Sequence, residues 1–187
     1  MKKVKLGLAA AVLLAGVSGS ALATEVGKFY GAIDVGQATM NGFCDAAVGT
    51  SGVPCDESDI AFRGSIGYQV MPNLAVEAGY GDYGTAVATD GIDSIKGEVT
   101  SFQISAVGSY PIDKAFSITG KLGMAMSTAK ITSTFVGVGG ETDETDLVFG
   151  AGVLYNVNES IGIRGQFERI NNGDAIDLLS AGVVFNF

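Results

Sequence analysis

From Lys28 onward, apolar side chains recur at every second residue in eight separate runs, and a period of two is the period of a β-strand. The first run, 28–37, puts Phe29, Gly31, Ile33 and Val35 on one face. The next three show Ile60, Phe62, Ile66 and Tyr68 (60–70), then Leu74, Val76, Ala78 and Tyr80 (74–83), then Phe102, Ile104, Ala106 and Tyr110 (101–110). Further on come Phe116, Ile118, Leu122, Met124 and Met126 (116–131), Phe149, Ala151, Val153 and Tyr155 (147–155), and Ile161, Ile163 and Phe167 (161–170). In the last run Leu179, Ala181, Val183, Phe185 and Phe187 point one way, and Ser180, Gly182, Val184 and Asn186 the other.

The links between runs alternate in length. Met71-Pro72-Asn73, 111–115 and 156–160 are short and carry turn-forming residues, whereas 38–59, 84–100 and 132–146 are long and 171–175 is briefer. Short turns at one rim and long loops at the other are the plan of a bacterial outer-membrane barrel. The pattern predicts a single all-β domain over residues 24–187, an eight-stranded antiparallel up-and-down transmembrane β-barrel.

The two faces sharpen this expectation. An outward aromatic precedes each short turn or chain end at Tyr68, Tyr110, Tyr155 and Phe185, and Phe62, Phe102 and Phe149 stand earlier on the same faces. With strands tilted as in known barrels, such pairs stand roughly 15–20 Å apart along the membrane normal, as two aromatic girdles do. The opposite face carries Lys28, Tyr30, Asp34, Arg63, Ser65, Gln69, Glu77, Ser101, Gln103, Ser105, Thr119, Lys121, Arg164, Gln166 and Glu168. Charge facing lipid at mid-depth costs about 2–4 kcal/mol for a basic residue, so this set belongs in the lumen. There Glu77 has Arg164 or Arg63 as a partner. Two readings stay open: a static plug of mutually satisfied charges, or a salt bridge that exchanges partners and opens a narrow water path.

The N-terminus bears on compartment. Lys2, Lys3 and Lys5, the apolar stretch 6–17 and Ala21-Leu22-Ala23 have the layout of a signal peptide over residues 1–23. The leader holds three lysines and no acid, so the mature chain is more acidic than the −9 of the full sequence. Nucleic acid is thereby disfavoured as a partner, because phosphate binding needs clustered Lys and Arg. Cys44 and Cys55 are the two cysteines, and in an exported chain they read as a disulfide.

Other chemistry finds little support. Residues 79–84 match G-x-G-x-x-G, but they follow a strand and open no helix, so no dinucleotide site is expected. The acidic cluster 141–146 lacks the spacing of a calcium loop and reads as a solvated loop. The chain contains no His, which removes Ser-His chemistry, so neither an enzyme nor a cofactor is expected.

The segment 148–172, VFGAGVLYNVNESIGIRGQFERINN, resembles the last part of the outer membrane protein A transmembrane domain, as do NLAVEAGY (73–80) and Ser109-Tyr110-Pro111-Ile112. With GVVFNF at 182–187 the likeness covers most of the mature chain. The resemblance implies a gate pair of lumenal Glu and Arg at Glu77 and Arg164, with Lys121 where that family has an Arg. Its alternative Lys and Glu partners fall at Val107 and Leu154, which favours the static plug. It also implies that the family's peptidoglycan-binding domain is missing here.

The sequence thus points to a structural or surface-exposed outer-membrane protein of a Gram-negative cell, with extracellular loops available for adhesion or partner binding. The alternative is a narrow channel gated by Glu77, Arg164, Arg63, Lys121 and Glu168. Expected partners are outer-membrane lipid and lipopolysaccharide, an extracellular ligand, and the barrel-assembly machinery, for which Phe187 would be the recognition signal. Loop acids such as Asp45, Asp56, Glu57, Asp59, Asp90, Asp93, Glu141, Asp143, Glu144 and Asp146 would meet lipopolysaccharide phosphates through divalent cations.

Overall fold

The computed structural model describes residues 26–48, 54–89, 94–133, 139–171 and 175–187. The expected leader, 1–23, and the loop acids Asp90 and Asp93 lie outside them. In chain order the elements are β1 (Phe29–Met40), a short helix α1 (Phe43–Val48), a two-residue strand β2 (Cys55–Asp56), β3 (Ser58–Met71), β4 (Leu74–Thr89) and β5 (Ser94–Pro111). They continue with β6 (Phe116–Ser133), β7 (Gly139–Asn156), β8 (Ile161–Asn171) and β9 (Ile176–Asn186). Each long strand pairs antiparallel with its neighbours in sequence, and β9 pairs with β1, so the sheet closes into an eight-stranded barrel.

The short turns form where proline and Asx residues favour them. Asp113 Oδ1 accepts from the backbone N–H groups of Ala115 and Phe116 at 2.7 and 2.8 Å, and Asn158 Oδ1 does the same for Ser160 and Ile161 at 2.9 and 2.8 Å. The opposite rim departs from expectation. The links read as long loops at 84–100 and 132–146 are largely strand, because β4 runs on to Thr89, β5 starts at Ser94, β6 reaches Ser133 and β7 starts at Gly139. The acidic cluster 141–146 therefore lies on β7 and is no loop; alternation sends Glu141 and Asp143 to one face and Glu144 and Asp146 to the other.

Inside-out burial identifies the solvent of the outer wall. Ile33 and Leu179 are each 66% exposed, and Ile60, Phe62, Leu122 and Met124 are exposed as well. Asp34, Arg63, Glu77 and Glu168 are buried. An apolar surface this continuous is unsuited to water and suited to lipid, while the charges sit in the lumen.

One irregularity changes which face is which. Gly84 has φ +79°, and the β4–β5 register slips between Asp82 and Thr85. This bulge places Tyr83 inward and then turns Ala86 and Ala88 inward too, so inward positions switch from odd to even numbers across it. Beyond the bulge β2 covers the edge of β4, with Cys55 opposite Ala88 and Asp56 opposite Val87. Cys44 and Cys55 form the expected disulfide, which ties α1 to that edge.

Candidate functional site

The lumen is layered. At mid-height six charged side chains form a closed cycle of alternating sign. Asp34 contacts Arg164 at 2.6 Å, Arg164 contacts Glu77 at 2.8 Å, and Glu77 contacts Lys121 at 3.2 Å. Lys121 contacts Glu168 at 2.9 Å, Glu168 contacts Arg63, and Arg63 returns to Asp34 at 3.0 Å. Three carboxylates meet three cations, so the ring is neutral. It draws on β1, β3, β4, β6 and β8, and every member points inward because each sits at the lumenal parity of its strand.

Neutral groups complete the ring. Tyr30 donates to Glu77 Oε2 at 3.1 Å, and Arg164 Nη2 donates to Ser65 Oγ at 3.0 Å. Gln103 Nε2 donates to Glu168 Oε1 at 2.7 Å and to the Tyr83 hydroxyl at 2.6 Å, while Lys121 donates to Gln103 Oε1 at 3.1 Å. Each charge is thus both paired and hydrogen-bonded, which is what offsets its desolvation.

Toward the long-loop rim the ring is capped by an apolar stopper that includes Met40, Tyr83, Val99, Val148, Ile170, Ile176 and Leu178, with Phe43 of α1 packed against it. Phe43 fits because Gly97 lies beneath it: a Cβ there would stand 2.7 Å from the Phe43 ring. Toward the short-turn rim the lumen holds a cavity of about 80 Å³, lined among others by Tyr30, Gln69, Ser109, Thr119, Leu154 and Asn186. The cavity reaches Glu77, Lys121 and Arg164 from below and stops at the ring.

The sequence-derived candidates fall as follows. Glu77, Arg164, Arg63, Lys121 and Glu168 all join the ring. Arg63 is held by Asp34 and Glu168, while Glu77 pairs with Arg164 and Lys121. Alternation places Asp34 in the lumen but does not reveal that it joins both arginines. Nor does it mark Tyr83 or Phe43. Their traces in the sequence are an aromatic at inward parity just before a glycine, and an aromatic beside a half-cystine. Phe62, Tyr68, Phe102, Tyr110, Phe149, Tyr155 and Phe185 are outward and exposed. Phe187 is outward, and its backbone N–H donates to the Phe29 carbonyl at 3.0 Å across the closing seam.

A family model described as the OmpA-like transmembrane domain matches residues 24–185. Outer membrane protein A of Klebsiella pneumoniae is 30% identical over 134 residues, 65% of this chain and 39% of that protein, so the chain spans about two fifths of that relative's length. Among solved structures, Ail, the attachment invasion locus protein of Yersinia pestis, matches with a TM-score of 0.59 at 18% identity over 87% of this chain and 100% of that one. Ail in complex with the heparin analogue sucrose octasulfate matches at 0.58 and 19% over the same shares, 87% and 100%. The N-terminal β-barrel domain of Pseudomonas aeruginosa OprF matches at 0.59 and 15%, again over 87% and 100%. At these identities the solved structures speak to the fold.

Proposed function

The chain belongs to the OmpA-like transmembrane domain family, an outer-membrane β-barrel family, and from that premise we propose a sealed barrel whose task is carried at its long-loop end, in adhesion or partner binding. The observation that carries this reading is the blocked lumen. A water path would have to pass both the neutral ring and the stopper of Met40, Phe43, Ile176 and Leu178. An eight-stranded barrel has room for little more than its own side chains. Planar-bilayer recording of the refolded protein tests it: no unitary openings are expected, and reproducible openings abolished by replacing Glu77 or Arg164 would overturn the plug. The cavity is the one observation that favours a narrow channel, since it leaves space against the ring on one side.

The long loops are taken as extracellular and the short turns as periplasmic. Surface protease on intact cells should cleave at the long-loop end and spare the turns at 112–115 and 157–160. The long-loop end bears exposed acids, among them Asp45, Asp56, Asp59, Glu141 and Asp143, so a sulfated polyanion of the kind seen with Ail is a poor match here. Lipopolysaccharide phosphates would need bridging divalent cations; association unchanged by chelation removes that bridge. Phe187, bonded across the seam to Phe29, is proposed as the residue the assembly machinery reads.

A further inference from the structure

Strand β7 has two unlike halves. From Leu147 to Asn156 it is paired on both sides, with β6 and with β8. From Gly139 to Asp146 it is paired with β6 alone, because β8 first meets it at Asn171 opposite Leu147. Among the described residues no strand lies on the far side of 139–146, so a row of main-chain N–H and C=O groups faces outward there. At ~3.3 Å per residue this row is about 25 Å long. The other edge of the same upright sheet is closed, since β2 covers β4 at Val87 and Ala88 and the disulfide holds it in place.

An open edge accepts any strand that can reach it, and charge decides which one stays. The edge reads Gly-Gly-Glu-Thr-Asp-Glu-Thr-Asp over 139–146, with four carboxylates and no base. Those on one face are already answered by β6: Glu141 lies opposite Lys130, and Asp143 accepts from Thr128 Oγ1 at 2.7 Å. Those on the other face are not, since Glu144 lies opposite Ser127 and Asp146 opposite Ala125. A second copy of this chain would bring the same acids, and like charges directly opposite repel. We infer that Gly139–Asp146 is a docking edge for an extended, basic segment of another protein, which adds to β7 as a further strand and sets alternate Lys or Arg side chains against Glu144 and Asp146. This rests on the reading of the long-loop end as the working surface and gives that surface a partner class.

The test uses the full barrel refolded in phospholipid vesicles and a ten-residue peptide alternating Lys and Thr. Two companions carry the controls: the same peptide N-methylated at every second residue, equal in charge but short of N–H donors, and a Glu-Thr version. The Lys-Thr peptide should bind and slow amide hydrogen exchange within 139–146. N-methylation and the double variant Glu144→Lys, Asp146→Lys should each weaken it at least tenfold, and the Glu-Thr peptide should not bind. Equal binding of the N-methylated peptide would reduce the effect to charge attraction and overturn the strand addition. So would protection confined to other residues, an absence of binding, or self-association through this edge without peptide. Conductance is recorded separately, so a leaking barrel that still binds the peptide would sink the sealed-barrel reading and leave this one standing.

Discussion

Asp34 and Arg164 grip each other across the intervening strand β9, with Arg164 Nε to Asp34 Oδ1 at 2.7 Å and Nη2 to Oδ2 at 2.6 Å. The same carboxylate takes Arg63 Nε and Nη2 at 3.2 and 3.0 Å. Asp34 is 1% exposed and sits between two guanidinium groups that would otherwise repel each other inside the lumen. Replacing it with Asn leaves the ring one negative charge short. Asp34→Asn should cost about 3–5 kcal/mol, the usual penalty for breaking a buried pair. Adding Arg63→Met restores neutrality and should recover part of that loss. Urea titrations in lipid vesicles check both.

The Tyr30 ring lies flat against Gly67, its register partner on β3, and a Cβ there would stand 2.0 Å from Tyr30 Cζ. Gly67→Ala must therefore push the ring off its donor position toward Glu77. A loss of about 1–3 kcal/mol is expected from overpacking. In the Tyr30→Ala background the same change should be close to neutral, and that non-additivity is the measurement that matters.

Reducing the Cys44–Cys55 bridge frees α1 and loosens Phe43 over Gly97. On the chain-entropy account such a short loop contributes roughly 3 kcal/mol. The urea midpoint should fall under reductant while planar-bilayer recordings stay silent, because the charge ring below the stopper remains. Openings on reduction would show that the stopper, and not the ring, is the seal.

Leu122 is 58% exposed on the outer wall at mid-strand. Leu122→Arg should cost about 2–4 kcal/mol in lipid. Lys130→Arg lies on the same face of β6 but higher up, opposite Glu98 and Glu141, and should change stability little. If the two variants unfolded alike, Leu122 would not face lipid.

Asp146, in the part of β7 that rises beyond β8, has a buried Oδ2 without a hydrogen-bond partner. Burial, and then the Glu144 carboxylate, hold its carboxyl above the usual range. A raised folded value means that its contribution is fully present below the ordinary Asp pKa of about 4 and is lost as pH rises through the folded value. Asp146→Asn should leave stability unchanged in acid and raise it at neutral pH, read as a flatter dependence of melting temperature on pH.

How far the fold could be read from sequence depended on the solvent at each face. Where one face meets lipid and the other the lumen, as in β3 or β9, alternation marks the strand and its inward residues. Where both faces meet water, as at Glu141–Thr145, no apolar face exists to reveal the strand, and it reads as a loop. Alternation also placed Asp34, Arg63, Glu77, Lys121, Arg164 and Glu168 in the lumen without saying which of them touch. Those contacts depend on the stagger of the closed sheet, which joins Asp34 to Arg164 at a sequence separation of 130. The Gly84 bulge and the six-residue helix carrying Phe43 are too local for any period to report.

The charge ring also makes closure of the seam an electrostatic matter. Asp34 and Arg164 sit on β1 and β8 with β9 between them, so their contact requires β9 to seat between the two. Without it each lacks a partner, and a buried charge that lacks its partner is costly. The ring therefore favours one register of the closing strand: a slip of β9 would part Asp34 from Arg164 and leave both short of a partner in the lumen.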